Sequence, residues 1–178
     1  MKYKERDEEK RKIFQEKLKN IPKGKIVYID ESWIDHNEVK SKNWSPKGKP
    51  TQWERYWQRW WRTTLIAWVR EKKVLAQFRF NWMTNTDIFN TWVEKLLLPE
   101  LEEWDVVVLD NASFHKSQKT IELVENVWAK LLFLPPYSPD LNPIEQYWAV
   151  LKTYVRKFNY SFDLFLTILD EFFSKTKE

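Results

Sequence analysis

The 178-residue chain has no cysteine, two histidines and two glycines. Without cysteine there is neither a disulfide framework nor a thiolate metal site, and His36 and His115 alone do not make a histidine-rich zinc site. Any metal must be held by oxygen. No apolar run approaches the roughly 18 residues of a membrane span, and the charged N-terminus is unlike a signal peptide, so a cytoplasmic protein with no membrane partner is expected. The net charge of +4 and pI of about 9.1 permit nucleic acid as a partner without demanding it. The length suits one substantial core rather than two typical domains.

The scarcity of glycine is matched by an excess of tryptophan. Average usage of about 7% predicts roughly twelve glycines in a chain of this length, yet there are 2, beside 12 tryptophans. Trp33, Trp53, Trp57, Trp60, Trp61, Trp68, Trp82, Trp104 and Trp128 fall largely in loops, at strand ends or just before strands, where positive φ or close backbone approach favours glycine. Read as glycine, those nine would leave three tryptophans and eleven glycines. The expectation is that the nine codons are UGA, meant as glycine in the source organism. The alternative is a genuinely aromatic-rich protein, in which Trp60-Trp61 would expose an apolar patch.

Three acids stand out from the remaining pattern. Lys25-Ile-Val-Tyr-Ile-Asp30 and Asp105-Val-Val-Val-Leu-Asp110 are near-continuous apolar runs, the mark of strands covered on both faces, and each ends in an aspartate. Ligands in open α/β sheets bind beyond the carboxyl ends of strands, so aspartates there on neighbouring strands would meet at one crevice. Taken singly, each is more often a turn residue or a helix cap. The third acid follows the apolar run Leu131 to Leu134, where Pro135, Pro136 and Pro139 forbid regular pairing and Pro143 suits the first turn of a helix. This stiff turn holds Glu145 at a fixed offset from the strand. Asn142 and Glu145 also fit a capping box, with Glu145 reaching back to the Asn142 N–H.

Asp30-Glu-Ser, Leu109-Asp110-Asn-Ala-Ser-Phe-His115, and Leu134-Pro-Pro-Tyr-Ser-Pro-Asp-Leu-Asn-Pro-Ile-Glu145 with Trp148 and Lys152 together resemble the DDE transposases of the mariner superfamily, nearest to the bacterial insertion-sequence branch. The 34 residues at positions 111–144 are that family's characteristic interval, and the likeness spans about residues 25 to 157. The resemblance implies an α/β, ribonuclease H-like domain, a mixed five-stranded sheet flanked by helices. It implies two Mg²⁺ ions, with Mn²⁺ as a substitute, held by Asp30 as the bridging ligand and by Asp110 and Glu145. It also implies cleavage of double-stranded DNA at transposon ends, strand transfer into target DNA, and a homodimer on DNA. Glycine is typical of the family at the positions of Trp33, Trp82 and Trp128. Glu31, Asn111, His115, Asp140 and Asn142 would support the site. Two alternatives remain: a nuclease or resolvase of the same fold without strand transfer, and a non-catalytic single-strand binder whose tryptophans stack on bases.

The rest of the chain is expected to serve this domain. Residues 1–20 read as a solvated linker helix and 21–178 as the catalytic domain. Relatives carry helix-turn-helix modules ahead of that domain, so the chain looks like a catalytic half with a separately encoded DNA-binding half. Residues 32 to 62 read as a loop insertion, the clamp loop of mariner relatives, with Arg55, Arg59 and Arg62 as phosphate contacts. Thr63 to Val69 and Val74 to Phe80 read as a hairpin, Thr84 to Leu98 as a helix capped by Thr84 or Thr86, and Ser117 to Val127 as a second helix. Pro143 to about Phe158 is a further helix, with Lys152 and Arg156 on one face as candidate DNA contacts beside His115 and Lys116. Phe162 to Phe173 is an apolar last helix.

Overall fold

The computed structural model describes residues 6–35, 46–49, 62–71, 73–81, 83–157 and 162–175. Strands β1 (Ile26–Asp35), β2 (Arg62–Arg70), β3 (Lys73–Phe80), β4 (Val106–Leu109) and β5 (Lys130–Phe133) form one mixed sheet in the order β3-β2-β1-β4-β5. The first three strands pair antiparallel, while β1, β4 and β5 run parallel. This is the expected mixed five-stranded sheet, hairpin included.

Helices cover both faces. Helices α4 (Ile144–Val155) and α5 (Phe162–Lys175) bury Trp148, Leu151, Phe165 and Leu169 against Ile34, Leu65, Ala67 and Val69. On the other face α2 (Thr86–Trp92) and α3 (Gln118–Glu125) bury Phe89, Trp92 and Val124 against Val27, Ile29, Val107 and Leu109. All four residues of β4 are buried, which is why that segment reads as an unbroken apolar run.

Several boundaries differ from those expected. Asp30 lies in the middle of β1, because the antiparallel ladder with β2 continues through Asp35↔Arg62 after the parallel ladder with β4 has stopped at Tyr28↔Val108. The insertion expected from residue 32 thus loses its first four residues to β1. The clamp loop, with Arg55 and Arg59, lies outside the described residues except for 46–49. The cap of α2 is Asn85, whose side chain accepts the Ile88 N–H at 2.9 Å, and neither Thr84 nor Thr86 has that role. After Trp92 the helix widens into a π turn over Val93–Leu97 and tightens again before Leu101, with Pro99 at the terminus unable to donate a helical hydrogen bond.

The N-terminal helix α1 (Glu8–Lys19) is solvated over most of its surface, as expected, but is docked by one edge. Asp7 caps it, Phe14 packs with Ile26, Val106, Val108 and Leu134, and Arg11 is buried with a bidentate grip on Asp140 at 3.0 and 2.7 Å. Amphipathic spacing did not announce this, because the anchoring residue is a charged one whose partner lies far along the chain. Among the described residues no helix is long and apolar enough to cross a membrane.

Candidate active site

The site begins where two strands part. Asp30 and Asp110 each stand two residues beyond the last parallel pair, Tyr28↔Val108, so the register levels them at the mouth of the divergence. Adjacent strands are about 4.8 Å apart before they separate. The separation frees the Ile29 carbonyl from the β4 ladder, and the Asn142 side-chain amide donates to it at 3.2 Å. Asn142 is buried, and its Oδ1 accepts the Ile144 N–H at 3.3 Å. At the other end of the proline turn, Asn111 donates to the Leu134 carbonyl. Two asparagines thus fasten the turn to the sheet.

This arrangement replaces the capping box. The Asn142 N–H donates to the Pro139 carbonyl at 2.9 Å, leaving no donor there for Glu145 to cap. Glu145 instead faces a cavity of about 340 Å³ lined by Asp30, Asp110, Asn111, Pro135 to Pro139, Asn142 and Glu145. The stiff turn forms the cavity wall.

Each aspartate has one side-chain anchor. The Trp148 indole donates to Asp30 Oδ2 at 3.0 Å, linking β1 to the second turn of α4. Asp110 Oδ1 accepts the Ala112 N–H at 2.8 Å and lies 2.7 Å from His115 Nδ1, while His115 Nε2 lies 2.9 Å from Glu31 Oε1. Burial pushes the Asp30 carboxyl up to about 8, and the Glu31, Glu145 and Asp110 carboxylates push it the same way against the Trp148 N–H. Burial and Asp110 also raise Glu145, partly offset by Lys152. For Asp110 burial acts upward too, but the hydrogen bonds from His115 and Ala112 win and hold it below the usual range. His115 is lifted to about 9, since its bonds to Asp110 and Glu31 outweigh the burial that opposes its charge.

The three acids share a pocket without closing on one another. Among the described residues no three His, Asp or Glu side chains are gathered tightly enough to hold a metal ion. Like charges in a half-buried cleft repel until a cation is present. The donor set is all carboxylate oxygen, the chemistry a hard divalent cation requires.

The other candidates are distributed as follows. His115 is completely buried, so its imidazole is closed to a DNA backbone and serves Asp110 instead. Arg62 begins β2, where it pairs with Asp35 at 2.9 Å and lies 5.2 Å from the Trp33 ring. Lys152 is 5.6 Å from the same ring, and Lys116, exposed beside Asp110, is 5.5 Å from Phe133. Arg156 falls just past the end of α4 as its C-cap. What the sequence reading missed is the pairing of Trp148 with Asp30; an indole on a helix's apolar face gives no sign that its N–H is spent on a carboxylate.

A mixed sheet in this order, helices on both faces and acids at the parting of β1 and β4 define the ribonuclease H-like class of fold. The chain belongs to the DDE superfamily endonuclease family, whose profile matches residues 25–165. Among solved structures it superposes on the Mos1 transposase paired-end complex with left transposon end (TM-score 0.74, 19% identity, 99% of this chain and 58% of that one). It also superposes on the mariner Mos1 paired end complex with Mg (0.75, 20%, 93% and 52%) and on the catalytic domain of Mos1 mariner transposase (0.64, 16%, 93% and 77%). The chain spans a little over half the length of the proteins in those two complexes. An uncharacterized protein of Sinorhizobium fredii (strain NBRC 101917 / NGR234), y4pE/y4sA, is 40% identical over 47 residues, 26% of this chain and 33% of that protein. The mariner likeness read from the sequence is thereby borne out, with the bacterial branch supported only by that short stretch.

Proposed function

We propose that this chain is the catalytic domain of a DDE transposase, cutting double-stranded DNA at transposon ends and joining the freed ends to target DNA. The observation that carries the reading is the convergence of Asp30, Asp110 and Glu145, from three separate elements, on one open pocket. Those three would hold two Mg²⁺ ions, or Mn²⁺ in their place. When bound, such a pair supplies activation of the attacking oxygen and charge neutralisation at the leaving oxygen of an in-line displacement.

The protein's own residues set the stage for that chemistry. Trp148 fixes one oxygen of Asp30, His115 and the Ala112 N–H fix one of Asp110, and the proline turn fixes the start of the helix bearing Glu145. In the first step water attacks a phosphodiester at the transposon end, leaving a 3′-hydroxyl and a 5′-phosphate. In the second that hydroxyl attacks a target phosphodiester and displaces the target's own 3′-oxygen. Lys116, Lys152, Arg156, Arg62 and the more distant Arg55 and Arg59 are the proposed backbone contacts. Residues 21–178 act as the catalytic domain and 1–20 as its linker helix, in a cytoplasmic protein working as a homodimer on DNA.

An assay with labelled 3′ ends, Mg²⁺ and a target duplex tests the reading. Joined product is expected, and Asp30→Ala should remove both cutting and joining. Cutting without joining under all conditions would leave the nuclease or resolvase instead. The single-strand binder predicts binding indifferent to Asp30→Ala and no metal-dependent cleavage.

A further inference from the structure

We propose that His115 is a positioning residue for Asp110, an inference that rests on the transposase reading. Strand β4 ends at Leu109, so Asp110 has no ladder to hold it. The 3₁₀ turn Ser113–Lys116 swings His115 back beneath it, with Nδ1 at 2.7 Å from Asp110 Oδ1 and Nε2 at 2.9 Å from Glu31 Oε1 on β1. The imidazole is fully buried, with the Phe89 and Phe114 ring centroids 4.4 and 4.3 Å away, so it has one orientation. Its bond and that of Ala112 both fall on Oδ1. The Oδ2 atom is therefore the one presented to the cavity. Glu31 alternates with Asp30 along β1 and points to the opposite face, so the clamp joins the two diverging strands beneath the pocket without occupying it.

The test is Mn²⁺ binding to the full chain, followed by calorimetry and by the electron-spin resonance of the ion, with thermal melting in parallel. Loss of an outer partner to a metal ligand typically costs 10- to 100-fold in affinity. His115→Leu should keep a cooperative melt yet bind Mn²⁺ at least about tenfold more weakly, and Glu31→Gln, which keeps the imidazole but loosens it, should weaken binding by a smaller factor. A purely structural histidine would lower the melting temperature of both variants and leave Mn²⁺ affinity within twofold, which overturns the proposal. If His115→Leu does not fold, Glu31→Gln alone decides on the same criterion. Asp110→Asn separates the two levels: Mn²⁺ binding as tight as in the parent would sink the metal-site reading itself, and the positioning role with it.

A second observation independently carries another inference. Trp128 has φ +60° and Trp104 φ +69°, in the left-handed region that a β-substituted side chain rarely adopts. Past α3 the Ala129 N–H donates to the Val124 carbonyl and the Trp128 N–H to the Glu125 carbonyl. That is a Schellman motif with Trp128 at the left-handed position where glycine is the usual residue. Trp104 is the third residue of a turn closed by the Asp105 N–H on the Glu102 carbonyl, again at a place suited to glycine. Both side chains are mostly exposed, 60% and 66%, so burial does not repay the backbone cost. We infer that glycine is the native residue at 104 and 128. Trp92 and Trp148, by contrast, are helical and buried.

The gene should carry UGA at codons 104 and 128 and UGG at 92 and 148; UGG at all four overturns the inference. Trp104→Gly with Trp128→Gly should raise the thermal midpoint by several degrees, and an unchanged or lower midpoint would count against it.

Discussion

The two ends of β4 carry an acid each, and their fates differ. Asp105, before the strand, is fully buried, faces two cations, Arg70 at 2.5 Å and Lys25 at 3.8 Å, and accepts the Glu102 N–H at 2.8 Å. Asp110, after the strand, opens on a cavity it shares with two more acids. Asp30, beside it on β1, has a single indole donor against three carboxylates. A compensated acid holds the fold together. An acid crowded by others and left short of cations is a site waiting for one.

The largest effects should divide along that line. Asp110→Asn or Glu145→Gln should cut metal-dependent DNA cleavage to on the order of a thousandth or less while leaving the melting temperature near that of the parent. Asp105→Ala should do the reverse, removing roughly 3–5 kcal/mol of stability by taking away the buried partner of Arg70 and Lys25. Equal loss of stability from both ends of the strand would erase the distinction. Denaturant titration beside the cleavage assay measures it.

The pH dependence of the metal-free protein sharpens the same contrast. Asp30 is raised from 3.8 to about 8 and His115 from 6.5 to about 9, so the native state binds the extra protons over those windows. Their stabilisation is fully present below the unfolded values and is lost as pH rises through the folded ones. Asp110, held low, acts in the opposite sense and only in acid. Calorimetry should therefore show the midpoint falling between pH 6 and 9, a fall that Asp30→Asn makes shallower. A flat profile would mean that the carboxylates relax apart.

Smaller effects probe the fastenings. Asn142→Ala leaves the buried Ile29 carbonyl unpaired, a loss of about 1–3 kcal/mol on unfolding, and should slow cleavage by loosening the turn that carries Glu145. Arg11→Ala removes the grip on Asp140, half exposed to solvent, and should cost no more than about 1 kcal/mol of Coulombic stabilisation. An Asn142→Ala chain that melts and cleaves normally would show that the prolines alone hold the turn.

What could be read from one dimension was local or periodic. The apolar runs ending at Asp30 and Asp110 announced buried strands and the prolines from 135 to 143 a stiff turn, while the glycine deficit pointed to nine tryptophans, of which Trp104 and Trp128 do have left-handed backbone but Trp33 and Trp68 stand inside strands, Trp68 buried in the core. Their causes lie within a few residues of chain. The extension of β1 past Asp30, the docking of Arg11 on Asp140, the grip of Asn142 on Ile29, the indole of Trp148 on Asp30 and the burial of His115 between two acids were decided by the tertiary structure. Each is a pairing of polar groups distant along the chain, and a hydrogen bond leaves no periodic trace in the sequence, because the need to satisfy a buried donor or acceptor arises only once packing has excluded water from it.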